Sequence, residues 1–141
     1  MSLVRGSRGI ISFAHQFRPR FIEAGLLADE AMLAAVARTN RQIRRLAAVL
    51  NSAAPPGGVT VRSSSGGVPV EATARRHGGA VHVFAVGMRD GKARARFTLA
   101  GLRGGAKAEV IDEGRTLDVK DGVFRDQFAA WDVHLYKIRT E

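Results

Sequence analysis

The chain has 141 residues, of which 45% are hydrophobic and 25% are charged. This balance is typical of a globular domain and excludes a disordered polyelectrolyte, and no apolar stretch approaches the roughly 20 residues of a membrane helix. The net charge is +9, but the sequence has no run of five like charges, so no nucleic-acid partner is predicted. Because cysteine is absent, disulfides, thiolate zinc sites and cysteine nucleophiles are excluded. The first residues lack a signal-peptide pattern, which favours a cytoplasmic location.

Residues 1–52 are predicted to form a strand, a loop and a helix. Gly9–Ala14 is a short apolar run bounded by a glycine and a loop, which indicates a buried strand. Asp29 is the predicted N-cap of a long helix that continues to Leu50. An apolar stripe along this helix includes Leu33, Val36, Ile43 and Leu50, and the arginines Arg38, Arg41, Arg44 and Arg45 fall on the solvated side. The stripe must be buried against another part of the fold or against a second copy of the chain.

The rest of the chain is predicted to be β-rich. Residues 53–58 contain Pro55-Pro56-Gly57-Gly58 and read as a linker, after which residues 59–141 form the second unit. Turn signals, among them Asp90-Gly91 and Asp121-Gly122, separate seven or eight short apolar segments. The predicted strands cover 59–62, 68–75, 80–88, 93–99, 106–111, 116–119, 123–128 and 133–138. The expected fold is therefore mainly β with one long helix: an antiparallel β-sandwich preceded by a strand–loop–helix unit.

Several of these segments resemble a known arrangement. Val81–Val86, Phe97–Leu99, Ala108–Ile111, Asp121–Phe124 and Val133–Ile138 resemble the C-terminal β-sandwich appended to many glycoside hydrolase barrels. The segments Arg5–Phe13 and Asn40–Leu50 are similar to the last strand and last helix of such a (β/α)8 barrel. The resemblance covers nearly the whole chain.

The resemblance implies a supporting role and not catalysis. Glycoside hydrolases use two carboxyl groups that flank the scissile bond, and in the barrels that this chain resembles those groups would precede Met1. The first acid of the chain is Glu23, in a predicted loop. We therefore expect a non-catalytic accessory region whose partner is a catalytic barrel. The alternative is a stand-alone carbohydrate-binding β-sandwich.

Three residues are candidates for contact with a sugar. His15 and Gln16 follow the predicted barrel strand, where side chains of an intact barrel face the active site. Trp131 is the only tryptophan and a potential stacking platform, although burial is the default for such a residue. No metal or other cofactor is predicted, since the four histidines lack ligand spacing. His82 and His134, on predicted strands, are interpreted as hydrogen-bonded core residues. Most acids of the last third lie in or beside predicted turns, so the cluster is a weak signal for calcium or for paired acid–base groups; its members are Asp112, Glu113, Asp118, Asp121, Asp126 and Asp132.

Overall fold

The computed structural model describes residues 1–7, 9–12 and 14–140. Within these residues, three helices precede eight strands. The helices are α1 (Gly25–Ala28), α2 (Glu30–Arg45) and α3 (Ala47–Leu50). The strands are β1 (Val59–Ser63), β2 (Val70–His77), β3 (Ala80–Gly87), β4 (Ala93–Leu99), β5 (Gly105–Val110), β6 (Arg115–Lys120), β7 (Val123–Phe128) and β8 (Val133–Arg139). The β-rich prediction is confirmed, and each of the eight strands predicted from residue 59 onward overlaps an observed one.

Local sequence explains where the strands turn. Asp121 and Gly122 join β6 to β7 and both have positive φ, 48° and 75°, as a two-residue hairpin turn requires. A Cβ atom at position 122 would lie 2.3 Å from the carbonyl oxygen of Leu99, so glycine is needed there for space as well as for conformation. Along β4, buried and exposed residues alternate throughout, as the sequence pattern predicts.

The strands form one antiparallel sheet in the order β1-β4-β7-β6-β5-β8-β3-β2. Its two edge strands, β1 and β2, lie against each other, so the sheet is nearly closed. β6 and β7 pair only at Lys120 and Val123, beside their turn. The hydrogen bonding thus gives a single curled sheet, and it does not confirm the two separate sheets expected of a sandwich.

The inside of the curled sheet holds the main hydrophobic core. Phe97 is fully buried at its centre, and its ring centroid lies 4.7 Å from Phe124, 5.5 Å from Tyr136 and 6.2 Å from Phe128. These rings come from β4, β7 and β8, so the core joins strands that are distant in the sequence. Burial of such large rings is the main favourable contribution to the stability of this unit.

A second, smaller core lies on the outer face of the sheet. Leu46 and Val49 pack there against Phe84 of β3 and Leu135 of β8. This contact explains why β3 is buried on both faces, as its continuous apolar run predicts. Part of the helical stripe is therefore covered by the sheet of the same chain.

Two expectations for the N-terminal part are wrong. Gly9–Ser12 and Ala14 form no strand (Arg8 and Phe13 lie outside the described residues), and Ile11 is 99% exposed. A buried strand needs neighbours that pair with its backbone, and among the described residues no strand of the sheet lies beside this segment. The single long helix is instead two helices, since α2 ends at Arg45 and α3 begins at Ala47 after Leu46, whose φ and ψ are −93° and 3°.

Candidate functional site

A charged network is buried between β6, β7 and β8. The side chain of Asp126 accepts two hydrogen bonds from Arg115, at 2.9 and 2.7 Å, one from the Tyr136 hydroxyl at 3.0 Å and one from the backbone N–H of Gln127 at 2.8 Å. Asp126 is only 8% exposed, and it lies on the inner face between Phe124 and Phe128. The network therefore links strands that share little direct pairing, since β6 and β7 are hydrogen-bonded only near their turn.

The network fixes the charge states of its members. Burial acts to raise the pKa of Asp126, but the hydrogen bonds from Arg115, Gln127 and Tyr136 outweigh it, so the pKa lies below its ordinary value. Burial, together with the Asp126 charge, raises the pKa of Tyr136, which remains a neutral hydrogen-bond donor. A general acid at neutral pH needs a carboxyl pKa that is raised. Asp126 has the opposite shift, so it is not suited to act as a general acid. Its hydrogen bonds with Arg115 and Tyr136 join β7 to β6 and β8.

Glu113 and His134 extend the network towards the surface. Glu113 accepts a hydrogen bond from Arg115 Nε at 2.8 Å and contacts His134 Nδ1 at 2.5 Å. The other ring nitrogen of His134 lies 3.1 Å from the carbonyl oxygen of Gln127. His134 thus agrees with the prediction of a hydrogen-bonded histidine in the sheet.

His82 does not agree with that prediction. It is buried on the outer face of β3, and its Nδ1 has no hydrogen-bond partner in the described part of the chain. Burial, followed by the nearby Lys137 and His77, lowers the pKa of His82, so the ring is neutral. His82 pairs in register with Lys137, whereas His134 pairs with Ala85 on the opposite face, so the two histidines do not form a site.

The predicted sugar-contacting residues lie in different parts of the fold. Gln16 forms an isolated β-bridge with Ile22, and its side-chain amide donates to the carbonyl oxygen of Arg18 at 2.9 Å. His15 is exposed, and its ring stacks on Phe21 with a centroid distance of 5.8 Å. Trp131 lies in the β7–β8 loop and is 52% exposed, so the expectation that it is buried is wrong. His15 and Gln16 thus lie in the segment before α1, whereas Trp131 lies in the β-rich unit.

Most of the large apolar side chains that are exposed belong to the N-terminal part. We define the N-terminal apolar surface as Ile10, Ile11, Phe17, Phe21, Leu27, Met32 and Leu33. In the described residues of the β-rich part, the exposed large apolar side chains are those of Trp131 and Val133. None of the residues of α2 is buried, and its link to the β5–β6 turn is polar, from Gln42 and Arg45 to Asp112. The apolar surface is therefore concentrated on the part of the chain with the least tertiary packing.

Sequence reasoning missed the network because it read most acids of the last third as turn residues and drew nothing from the position of Asp126 within the predicted strand 123–128. Asp126 lies within β7, two residues from Phe124 and two from Phe128, so its side chain is on the same buried face of the strand as theirs. An acid on the apolar face of an alternating strand is the signal that would have identified it.

No family model matches the chain, and no curated protein matches it. Within residues 1–7, 9–12 and 14–140, no group of three or more His, Asp or Glu side chains is placed to hold a metal ion. The helices of this part are too short or too polar to cross a membrane.

Proposed function

We propose that the chain is a non-catalytic accessory region of a glycoside hydrolase-like protein, in which the β-rich unit supports a catalytic barrel. The observation that carries this proposal is the contrast between the two parts of the chain. The curled sheet has a filled core of large rings, whereas the residues before α2 expose Ile11, Phe17 and Phe21. A segment that is apolar but uncovered is typical of a surface that packs against another folded unit.

The sequence resemblance supplies the identity of that unit. Gly9–Ala14 resembles a barrel strand, and a parallel barrel strand is stable only between two neighbouring strands. The irregular, exposed backbone of Gly9–Ser12 is what this proposal expects of such a strand without its neighbours. A second copy of the chain is the competing occupant, with the Leu33/Val36/Ile43/Leu50 helix face as its contact.

The architecture of the β-rich unit also supports the comparison with an appended sandwich. The sheet divides naturally where β6 and β7 are joined at one residue pair. β1, β4 and β7 then form one leaf, and the remaining strands form the other. The rings of Phe97 and Phe124 on the first leaf pack against Tyr136 on the second.

The proposal predicts that the isolated chain hydrolyses no glycoside. Its best-placed carboxylates, Glu113 and Asp126, are both bound by Arg115 and so are unsuited to act as an acid and a nucleophile. The test is a panel of aryl glycosides of different sugars, with release of the aryl group followed by absorbance. Turnover that is lost in the Glu113→Gln variant would overturn the proposal.

The exposure of Trp131 favours a second candidate, a carbohydrate-binding module. A half-exposed indole in a loop can stack on a pyranose ring, and Val133 beside it is exposed as well. This candidate places the sugar at the end of the sheet where β7 ends and β8 begins.

A further inference from the structure

A cleft opens at the other end of the sheet. Its volume is about 890 Å³, which is the size of a site for a drug-sized ligand. It lies where β2, β4 and β8 end and β5 begins, and the linker residues Pro55–Gly57 form part of its wall. The apolar residues of its lining include Val81, Leu99 and Leu102.

The rim of this cleft is strongly basic. Five cations line it, against one acid, Glu109; the cations are Arg76, Arg103, Lys107, Lys137 and Arg139. Lys107 is paired with the exposed Asp118. The other four form no ion pair with any carboxylate in the described ranges. The fold thus brings cations that are distant in the sequence to one concave site, where they attract anions.

We propose that this cleft binds a segment of a polysaccharide that carries carboxylate or sulfate groups. The saccharide part of this inference rests on the proposed function, whereas the anionic part rests on the cleft. Arginine guanidinium groups form paired hydrogen bonds with carboxylate and sulfate-type oxygens, and an extended ligand can reach several of the four unpaired cations at once.

The residues that line the cleft also favour an anionic saccharide over single-stranded nucleic acid and over neutral sugars. The described residues of the cleft include no aromatic ring. Proteins that bind single-stranded nucleic acid stack the bases on aromatic side chains, and neutral sugars are commonly held on similar platforms. Without such rings, charge is the property through which the cleft selects its ligand.

Binding to the full chain is measured by fluorescence anisotropy with labelled oligogalacturonate, a sulfated oligosaccharide, a neutral cello-oligosaccharide and an oligothymidylate of matched charge. The double variant Arg103→Glu/Arg139→Glu alters two exposed rim residues. Its matched control is Arg38→Glu/Arg41→Glu on α2, which changes the net charge by the same amount at exposed positions. If the charge-reversed variant does not fold, Arg103→Gln/Arg139→Gln replaces it.

We expect the parent chain to bind at least one of the two acidic saccharides and not the neutral one. The rim variant should weaken binding by about tenfold or more, since two charge-assisted contacts are lost. The control should weaken it by less than about threefold, because distant charges are screened. Equal weakening by both variants, equal binding of the neutral sugar, tighter binding of the oligothymidylate, or loss of binding in Trp131→Ala would each overturn the proposal. Turnover of an aryl glycoside would instead overturn the proposed function and leave anion binding in the cleft intact.

Discussion

Replacing Asp126 by alanine is expected to lower the free energy of unfolding by about 3 kcal/mol, because it leaves the partners of a buried carboxylate unpaired. Arg115 and the Tyr136 hydroxyl lose their shared acceptor inside the sheet. Arg115 is partly exposed and can regain water, which places the effect at the lower end of the range for buried pairs. The measurement is chemical denaturation followed by the fluorescence of Trp131, the single tryptophan.

The matched control is Asp118→Ala. Asp118 also pairs with a cation, Lys107, but both side chains are exposed. An exposed pair contributes less than about 1 kcal/mol, so this variant should unfold almost as the parent does. Equal effects of the two substitutions would contradict the structural role of the buried network.

The same carboxylate makes stability depend on pH in the acid range. Its pKa is lower in the folded chain than in the unfolded chain, so the unfolded chain takes up the proton first as the pH falls. The stability that Asp126 contributes is present above its ordinary pKa of about 3.9 and is lost as the pH falls through the lower folded value. The difference in stability between the parent and Asp126→Ala should therefore narrow on acidification below about pH 4.

Phe97→Ala is expected to lower the free energy of unfolding by about 4 kcal/mol, within the range for truncation of a fully buried phenylalanine. Phe97 is a fully buried residue of β4, and its ring packs against rings from β7 and β8. Its removal leaves a cavity at the point where the two sides of the curled sheet meet. The free energy of unfolding from chemical denaturation measures this cost.

Phe21→Ala is the control for the same chemical change. Phe21 is 60% exposed in the N-terminal apolar surface, where truncation should change stability by no more than about 0.5 kcal/mol. A cost at Phe21 that approaches the cost at Phe97 would mean that the N-terminal part is packed as tightly as the β-rich part.

The β-rich part could be predicted well because its signals are local. Alternation along β4 and the Asp121-Gly122 turn specify strands and a hairpin without reference to distant residues. The order of the strands could not be predicted in the same way, because pairs such as β1–β4 and β3–β8 join distant segments. The near-closure of the sheet depends on those pairs.

The candidate sites were harder to predict than the strands. The basic cleft brings together Arg76, Arg103 and Arg139, which are far apart in the sequence and belong to no charge run. The buried position of Asp126 could have been predicted, since Asp126 lies on the same face of the alternating strand β7 as Phe124 and Phe128. The predicted strand at Gly9–Ala14 failed for a different reason: its apolar pattern specifies burial, but a strand also needs partners that pair with its backbone.

Amide hydrogen exchange of the isolated chain, resolved by segment, tests the central claim most directly. The claim is that the β-rich unit is complete in itself, whereas the segment before α2 is built to pack against another folded unit. The account predicts that amides of β3 and β8 exchange only through global unfolding, while those of residues 9–28 exchange at nearly unprotected rates. Equal protection of residues 9–28 and the central strands would show that the N-terminal part is already complete, and would contradict the proposed docking to a barrel.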